Sequence, residues 1–355
     1  RSNDKPCYMK ASVKIIGLLY LAVIIACNNS SKTSSEGTNE DKSVNALTDK
    51  SKNLPLNTIK MAEGFHIEVF AEVDNARSMA INDEGTIFVG NRNGDKVYAV
   101  KDENKDGKAD KKWVIASDLN MPNGVAISDG NLYVAEVSRI LKFNDIENNL
   151  NNPPKPEVIT DSYPDDTHHG WKYIAFGPDG WLYVPVGAPC NICEPENEIY
   201  ASITRMKKDG SSREVYGKGI RNSVGFTWHP VTKALWFTEN GRDMMGDDVP
   251  PCELNYAPRA GLHFGYPYCH AGSIKDSEFG NKQPCHAFTK PAMPLGPHVA
   301  PLGLKFYTGE MFPAMYKHQI FIAEHGSWNR TKKIGYRISL VTLQDTTTAT
   351  EYTTF

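Results

Sequence analysis

The chain has 355 residues and a formal net charge of −3 at pH 7, and hydrophobic residues make up 40% of it. This length suits one large all-β domain or two smaller domains, and the composition is that of a folded globular protein. The small negative charge gives no indication of a nucleic-acid partner.

The N-terminal residues have the features of an exported lipoprotein. Residues 1–8 precede Met9, and we interpret them as a non-native or over-extended start. Residues 9–26 combine lysines with an apolar run of about a dozen residues, too short to span a bilayer comfortably, and end before Cys27 in a lipobox-like sequence. We expect a lipid on Cys27 to anchor the protein to a membrane, facing the periplasm or the cell surface. An ordinary secretory signal is the alternative.

Residues 27–53 are rich in Ser, Thr, Asn, Lys and Glu and contain few large apolar side chains. Such a segment cannot bury a core, so we predict a flexible tether after the lipidated cysteine. Globular sequence begins near Leu54. We predict one domain over residues 54–355, incomplete at its C-terminus.

One pattern recurs in the globular part: a turn, usually with Asp and Gly, is followed by alternating aromatic and aliphatic residues. Its five copies occupy residues 82–89, 128–134, 178–184, 229–237 and 316–322. The first four are roughly 45 to 55 residues apart, which is the period of a four-stranded propeller blade. The longer last interval indicates an insertion between about residues 240 and 300. We therefore predict an all-β, six-bladed β-propeller with a truncated last blade; the alternative, a β-sandwich, would need closer turns.

Two adjacent histidines precede a predicted hairpin in the third repeat. Residues 173–176 and 181–184 read as strands joined by a tight Gly-Pro-Asp-Gly turn. His169 lies just before the first of these strands, where a rigid hairpin would hold it. An imidazole with a pKa near working pH can act as a general base. The alternative is a surface loop that happens to contain two histidines.

A second candidate is the glycine-bounded loop that carries Arg221 and Asn222. A guanidinium supplies fixed donors for an anionic oxygen, although a structural salt bridge is the alternative role. Loops that follow equivalent propeller strands converge near the central channel. We therefore expect His169, Arg221 and the loops at 239–242 and 325–330 to meet in space.

Four segments in this order resemble the glucose/sorbosone dehydrogenase family, six-bladed propellers that use pyrroloquinoline quinone (PQQ) and Ca²⁺. The segments are residues 168–180, 219–222, 238–255 and 323–330. Two more segments, residues 187–193 and 263–269, resemble the sorbosone-dehydrogenase-like branch of this family. The resemblance implies oxidation of a sugar, or of a sugar-derived alcohol or aldehyde, with hydride transfer to the quinone.

The resemblance also assigns roles to single residues. His169 matches the family's general base. Arg221 and Asn222 match residues that contact the quinone, with Arg221 next to the carbonyl carbon that accepts hydride. Asn240 lies where the glucose enzymes carry a glutamine, which makes it a further cofactor contact.

The same resemblance implies a metal site and a carboxylate-binding group. Gly241 and Arg242 match positions whose backbone carbonyls bind the cofactor's calcium, and Asp247 and Asp248 match an acidic residue nearby. Three side chains of a later blade are expected to contact the cofactor, by their position and charge: Trp328, Arg330 and Lys332, with Lys333 as an alternative.

The chain departs from the family pattern at three of these positions. Ala188 replaces an aspartate that orients the base, Asn240 is shorter than glutamine, and Arg242 replaces a proline. Asp165 or Asp166 could take over the orienting role.

Five cysteines lie in the globular part. Cys190-x-x-Cys193 lacks a following histidine, so it is not a haem attachment site. In an exported protein we expect disulfides, with Cys269 and Cys285 bracing the insertion. The pairing among Cys190, Cys193 and Cys252 stays open, and one thiol is left over.

The resemblance implies a sugar substrate and a periplasmic electron acceptor such as a cytochrome c. Two other functions stay open. One is a calcium-dependent propeller lactonase, which needs metal-binding carboxylates around the channel. The other is a non-catalytic propeller that binds glycans or proteins.

Overall fold

The structure, a computed structural model, describes residues 54–355. The predicted signal peptide, the lipidation site at Cys27 and the tether lie outside the described residues. No helix within residues 54–355 is long and apolar enough to cross a membrane.

Five sheets of the described residues are successive propeller blades. Each contains four antiparallel strands in sequence order, and the sheet of blade 3 has a fifth, parallel strand. The strands are β1 (Ala76–Ile81), β2 (Ile87–Asn91), β3 (Val97–Lys101) and β4 (Lys111–Ala116) in blade 1; β5 (Gly124–Ser128), β6 (Asn131–Ala135), β7 (Ile140–Phe143) and β8 (Glu157–Thr160) in blade 2; β9 (Ala175–Phe176), β10 (Leu182–Val186), β11 (Ser202–Met206) and β12 (Glu214–Lys218) in blade 3; β13 (Phe226–Trp228), β14 (Leu235–Glu239), β15 (Pro251–Ala257) and β19 (Met293–Pro297) in blade 4; and β20 (Pro301–Phe306), β21 (Ile320–Glu324), β22 (Arg337–Leu343) and β23 (Ala349–Thr354) in blade 5.

Each of the five sequence repeats is a turn that leads into the second strand of a blade, which confirms the propeller prediction. These second strands are β2, β6, β10, β14 and β21. Second strands are almost wholly buried because neighbouring blades cover both of their faces. This burial explains why aromatic and aliphatic residues alternate there, without polar residues between them.

The hydrophobic core lies between blades rather than inside one sheet. Phe88 of blade 1 and Leu132 and Phe143 of blade 2 share one cluster, and Trp236 of blade 4 and Leu304 of blade 5 share another. Shape-matched packing of this kind fixes each blade relative to the next.

The predicted hairpin in the third repeat is confirmed, but its first strand is shorter than expected. The turn is closed by the Gly180 amide, which donates to the Gly177 carbonyl at 2.9 Å. Only Ala175–Phe176 joins the ladder. The carbonyl of Lys172 instead accepts a hydrogen bond from the side chain of Asn123 at 2.7 Å.

The predicted insertion separates β15 from β19, so it occupies residues 258–292, within the expected range. It contains β16 (Leu262–His263), which pairs in parallel with β12, and a small hairpin of β17 (Cys269–His270) and β18 (Ile274–Lys275). The expected Cys269–Cys285 disulfide braces it. Cys190 pairs with Cys193, and Cys252 is the thiol left over, buried in the core.

The predicted count of six blades is not met by the described residues, which form five. An N-terminal segment, residues 60–75, lies between blades 5 and 1. Its Phe65 contacts Phe312 of blade 5, and its Phe70 and Val73 pack against the outer face of blade 1.

Candidate functional site

Most of the candidate residues lie in loops at one end of the propeller. Because the strands of a blade are antiparallel, the loops between second and third strands open at the same end as the loops that lead into the next blade. The connections in question are 92–96, 161–174, 187–201, 219–225, 240–250 and 325–336. We call them the channel-end loops.

His169 is oriented by a backbone carbonyl. Its Nδ1 lies 2.8 Å from the carbonyl oxygen of Ala188. Since a carbonyl can only accept, Nδ1 carries the proton and Nε2 is left as an acceptor. The Ala188 backbone therefore does what the missing aspartate would have done. The prediction for Asp166 is wrong, because its carboxylate accepts from the Tyr200 hydroxyl instead.

Small residues make room for this contact. His169 has a left-handed φ of 54°, which is uncommon for a residue other than glycine but is more frequent for His than for most. A Cβ added at Gly187 would lie 2.5 Å from the Cβ of His169. The Gly187-Ala188 dipeptide is thus required for the imidazole to lie against the loop.

The pKa of His169 differs from our expectation. Burial lowers it to about 3, and the charge of Arg221 acts in the same direction, followed by His168 and Arg92. The hydrogen bond from Nδ1 to Ala188 opposes this shift only in part. The prediction of a pKa near working pH is therefore wrong: His169 is neutral at pH 7, and Nε2 is a weak base.

Arg221 is close to His169 but is fully engaged with the protein. Its carbonyl accepts from the Ala188 amide at 2.7 Å. Its guanidinium bonds to the carbonyls of Asn191, Asn240 and Gly241, and to the side chains of Asn191 and Asp243. These five contacts use all five N–H groups of an arginine. The expectation that Arg221 presents free donors to a quinone oxygen does not hold in this arrangement.

A buried carboxylate holds the backbone of the same residue. Glu239 Oε1 accepts from the Arg221 amide at 2.7 Å, while its Oε2 is buried without a partner among the described residues. Burial, together with the charge of Glu253 on the neighbouring strand, raises the pKa of Glu239 well above its ordinary value. Glu239 therefore holds the backbone of Arg221 within loop 219–225.

The predicted quinone contacts Asn222 and Asn240 bind each other. The side-chain nitrogen of Asn240, Nδ2, donates to the backbone carbonyl of Asn222 at 3.1 Å and to that of Pro301 at 3.3 Å. The Asn222 side chain points towards Gly187, because a Cβ there would lie 3.2 Å from Asn222 Oδ1. Asn222 is thus grouped with His169, whereas the side-chain donors of Asn240 are already used.

At three of the four predicted metal positions the groups expected to bind calcium have protein partners, and the calcium site stays a prediction. The Gly241 carbonyl accepts from Arg221 at 3.0 Å, and the Arg242 side chain forms an ion pair with the buried Asp276 at 2.6 Å. Asp247 accepts from the Thr331 amide, and Asp248 forms an ion pair with Arg330 at 2.9 Å. Within residues 54–355 no three His, Cys, Asp or Glu side chains converge on a point where a metal could bind.

The predicted contacts on the later blade lie at the surface. Trp328 is 65% exposed, and Lys332 is exposed. Arg330 is held against Asp247 and Asp248. The assignment of these three side chains to the cofactor therefore stays a prediction from the resemblance.

Sequence reasoning missed two arginines of blade 1. Arg77 lies in β1 and Arg92 follows β2 directly; we call them the arginine pair. Their Cζ atoms are 5.2 and 4.9 Å from the centroid of the Trp171 ring, two residues after His169 in the chain. The charge of Arg92 acts on His169, and the charges of both arginines act on His325.

A signal for Arg92 was present in the repeats. Gly187, Asn240 and His325 each follow the second strand of a blade directly, and Arg92 has the same position in blade 1. Aligning the repeats residue by residue would have singled it out. Arg77 carries no comparable signal, because it lies inside a first strand.

Comparison with known proteins agrees with this fold. A family model described as TrAA12-like matches residues 59–354. An uncharacterized protein of Borreliella burgdorferi is 32% identical over 312 residues, which cover 84% of this chain and 80% of that protein. A pyrroloquinoline quinone-dependent pyranose dehydrogenase of Coprinopsis cinerea is 32% identical over 161 residues, or 36% of this chain and 21% of that protein.

Solved structures share the fold at lower identity. The calcium structure of a Trichoderma reesei family AA12 enzyme has a TM-score of 0.70 at 21% identity, covering 83% of this chain and 84% of that one. The holo PQQ domain of the Coprinopsis cinerea pyranose dehydrogenase has a TM-score of 0.64 at 20% identity, covering 79% and 78%. With its five blades, its channel-end loops and a family match that spans them all, the chain belongs to the TrAA12-like family.

Proposed function

We propose that this protein is a PQQ-dependent dehydrogenase that oxidises a sugar, or a sugar-derived alcohol or hydrated aldehyde, with His169 as the general base. The observation that carries the proposal is the tautomer of His169. Its Nδ1 is tied to the Ala188 carbonyl, so Nε2 stays free to take a proton. The family membership supports the same activity, as do the similar proteins whose names include pyrroloquinoline quinone.

The residues near His169 suit an anionic, planar cofactor. The arginine pair forms no ion pair or side-chain hydrogen bond with another residue among those described, and Nε of Arg92 is buried without a partner. Unpaired cations beside an aromatic ring are complementary to carboxylates attached to a flat ring system. We therefore assign the quinone to the space shared by His169, Trp171 and these arginines.

When bound, a quinone supplies the electrophilic carbonyl carbon that takes the substrate's hydride. His169 Nε2 would take the proton of the substrate hydroxyl as the hydrogen of the adjacent C–H bond leaves as hydride, so that the substrate carbon becomes a carbonyl carbon. The Ala188 carbonyl stabilises the imidazolium through its bond to Nδ1. Arg221 acts on the site through its positive charge, because all of its guanidinium N–H groups donate to protein acceptors.

Calcium was expected as a second cofactor. The Gly241 carbonyl and the carboxylates of Asp247 and Asp248 already have protein partners, so the calcium site stays a prediction from the sequence. We derive no step from a metal. A periplasmic electron acceptor such as a cytochrome c and a membrane anchor at Cys27 remain predictions from the sequence.

The test is turnover with a reconstituted cofactor. The full chain with PQQ should reduce an artificial dye when given a panel of aldoses and sorbosone. His169→Gln should lower kcat by about 10²–10⁴-fold, because proton removal by the base is lost while the fold is retained. His168→Gln is the matched control, since its imidazole is exposed, and it should keep near-normal turnover.

Other outcomes favour the other two functions. Absence of quinone binding by the wild type would contradict the proposal. Hydrolysis of lactones with a metal alone would identify a lactonase. Retention of a glycan without any turnover would identify a binding propeller.

A further inference from the structure

We propose that the arginine pair, Arg77 and Arg92, held against Trp171, is a carboxylate-binding site for the ligand that reacts at His169. The carboxylate has two possible sources, the quinone cofactor or an acidic sugar. The inference rests on the proposed function for its location beside the base, and on the contacts of blade 1 for its chemistry.

The first step is the missing counter-charge. Six other arginines each form an ion pair with a carboxylate: Arg139, Arg205, Arg221, Arg242, Arg330 and Arg337. Neither Arg77 nor Arg92 has such a partner within residues 54–355. Partly buried cations are costly unless they are paired, and two beside each other also repel. Burial and the charge of Arg92 accordingly lower the pKa of Arg77 to about 10.

The second step is geometry. An arginine that lies over an indole uses the flat face of its guanidinium, at 4.9–5.2 Å from the ring centroid here. The N–H groups along the guanidinium edge then stay available. Two such edges beside one ring can hold a planar carboxylate through paired hydrogen bonds. The buried, unpartnered Nε of Arg92 is one of these donors.

The third step is location. Trp171 and His169 lie on the same channel-end loop, and Asn123 holds that loop by donating from Nδ2 to the Lys172 carbonyl at 2.7 Å. The arginine pair is therefore held at a fixed distance from the base. A ligand bound through its carboxylate would present its reactive part to His169 in a defined orientation.

The experiment compares charged and neutral ligands by isothermal titration calorimetry on the full chain. The probes are PQQ, its trimethyl ester, glucuronate and glucose. The variants are Arg77→Met and Arg92→Met. The matched control is Arg205→Met, since Arg205 also lies over an indole, 4.7 Å from the Trp181 centroid, but is neutralised by Asp179 and Glu214.

We expect each variant to weaken the binding of one carboxylate ligand at least tenfold and to leave its neutral counterpart unchanged, whereas Arg205→Met changes neither. Loss confined to PQQ places the cofactor's carboxylate at the pair, and loss confined to glucuronate places an acidic sugar there. The melting temperatures of the ligand-free variants should equal or exceed that of the wild type, because a repelling charge is removed.

Unchanged affinity for both carboxylate ligands in both variants would overturn the inference. So would a wild type that binds neither PQQ nor glucuronate. A wild type that binds glucuronate through the arginine pair but does not bind PQQ would contradict the proposed function alone, so the two failures can be told apart.

Discussion

At the scale of single residues, the chemistry depends on which nitrogen of His169 is free and how readily it accepts a proton. The Ala188 carbonyl settles the first question, and burial beside Arg221 settles the second. The result is an imidazole that is neutral and correctly oriented at all pH values above about 3. An anion bound between the arginine pair would offset part of the nearby positive charge and strengthen this base.

The low pKa of His169 predicts a pH-dependent stability. In the unfolded chain a histidine takes up a proton near pH 6.5, whereas folded His169 does so only near pH 3. Stability that is present above pH 6.5 is therefore lost as the pH falls, by about 1.4 kcal/mol per pH unit between the two values. His169→Gln should flatten this dependence in urea unfolding at pH 7, 6, 5 and 4. His168→Gln should leave most of it in place, because burial is the largest cause of the low pKa of His169. The same dependence of the unfolding free energy on pH in His169→Gln and the wild type would show that His169 is not buried in solution.

At the scale of elements, the channel-end loops are joined chiefly by Arg221. Its guanidinium links Asn191, in the loop after β10, to Asn240, Gly241 and Asp243, in the loop after β14. Asp243 in turn accepts from Asn329, in the loop after β21, at 3.3 Å. Three blades are thus connected by hydrogen bonds at the end where His169 lies.

This joint predicts a large cost for removing the guanidinium. Arg221→Met leaves Asp243 Oδ2 and three carbonyls without the guanidinium donor, and breaking a buried ion pair from one side costs about 3–5 kcal/mol. Chemical denaturation should show this loss in the free energy of unfolding. Arg205→Met, at a partly exposed ion pair, should cost about 0–1 kcal/mol. A near-neutral Arg221→Met would mean that the loops are held together by other contacts.

The elements were predicted well where burial is uniform. Second strands such as β6 and β10 are buried on both faces, so their aromatic and aliphatic pattern survives in the sequence. First strands carry less signal: β9 pairs over only two residues, and the Lys172 carbonyl before it accepts from Asn123. The insertion was located from spacing alone, but the parallel contact of β16 with β12 depends on packing that no local pattern records.

At the scale of the whole molecule, the site could be predicted only in part. The convergence of the loops that carry His169, Arg221 and Asn240 follows from the blade repeat. The contact of Arg77 with Trp171 does not, since it joins residues of blade 1 to a loop entering blade 3. Roles carried over from a resemblance also failed where neighbouring residues differ, as at Gly241, whose carbonyl is taken by Arg221.

The N-terminal segment is the other whole-molecule feature, because it links the first and last of the five blades. Phe65 packs edge-on against Phe312, Tyr316 and Phe355 on the side of blade 5, with ring centroids 4.8–5.9 Å apart. A few residues later, Phe70 and Val73 pack against Val89 and Tyr98 of blade 1. Hydrogen bonds to its backbone add to the link with blade 1, because the carbonyls of Phe70, Glu72 and Asp74 accept from Ala109, Lys112 and Asn91.

Phe65→Ala tests whether this link stabilises the ring of blades as a whole. Losing a partly buried aromatic contact should lower the free energy of unfolding by about 1–3 kcal/mol, below the cost of a fully buried phenylalanine. The neighbouring His66→Ala should cost within about 0.5 kcal/mol, since His66 is exposed and bonds only to the exposed Glu68. If Phe65 anchors the whole segment, hydrogen exchange should then become faster in both β23 and β3, because the segment packs against blade 5 and blade 1. Faster exchange in blade 5 alone would show that Phe65 belongs to a local aromatic cluster and that blade 1 is held by the blade 2 interface instead.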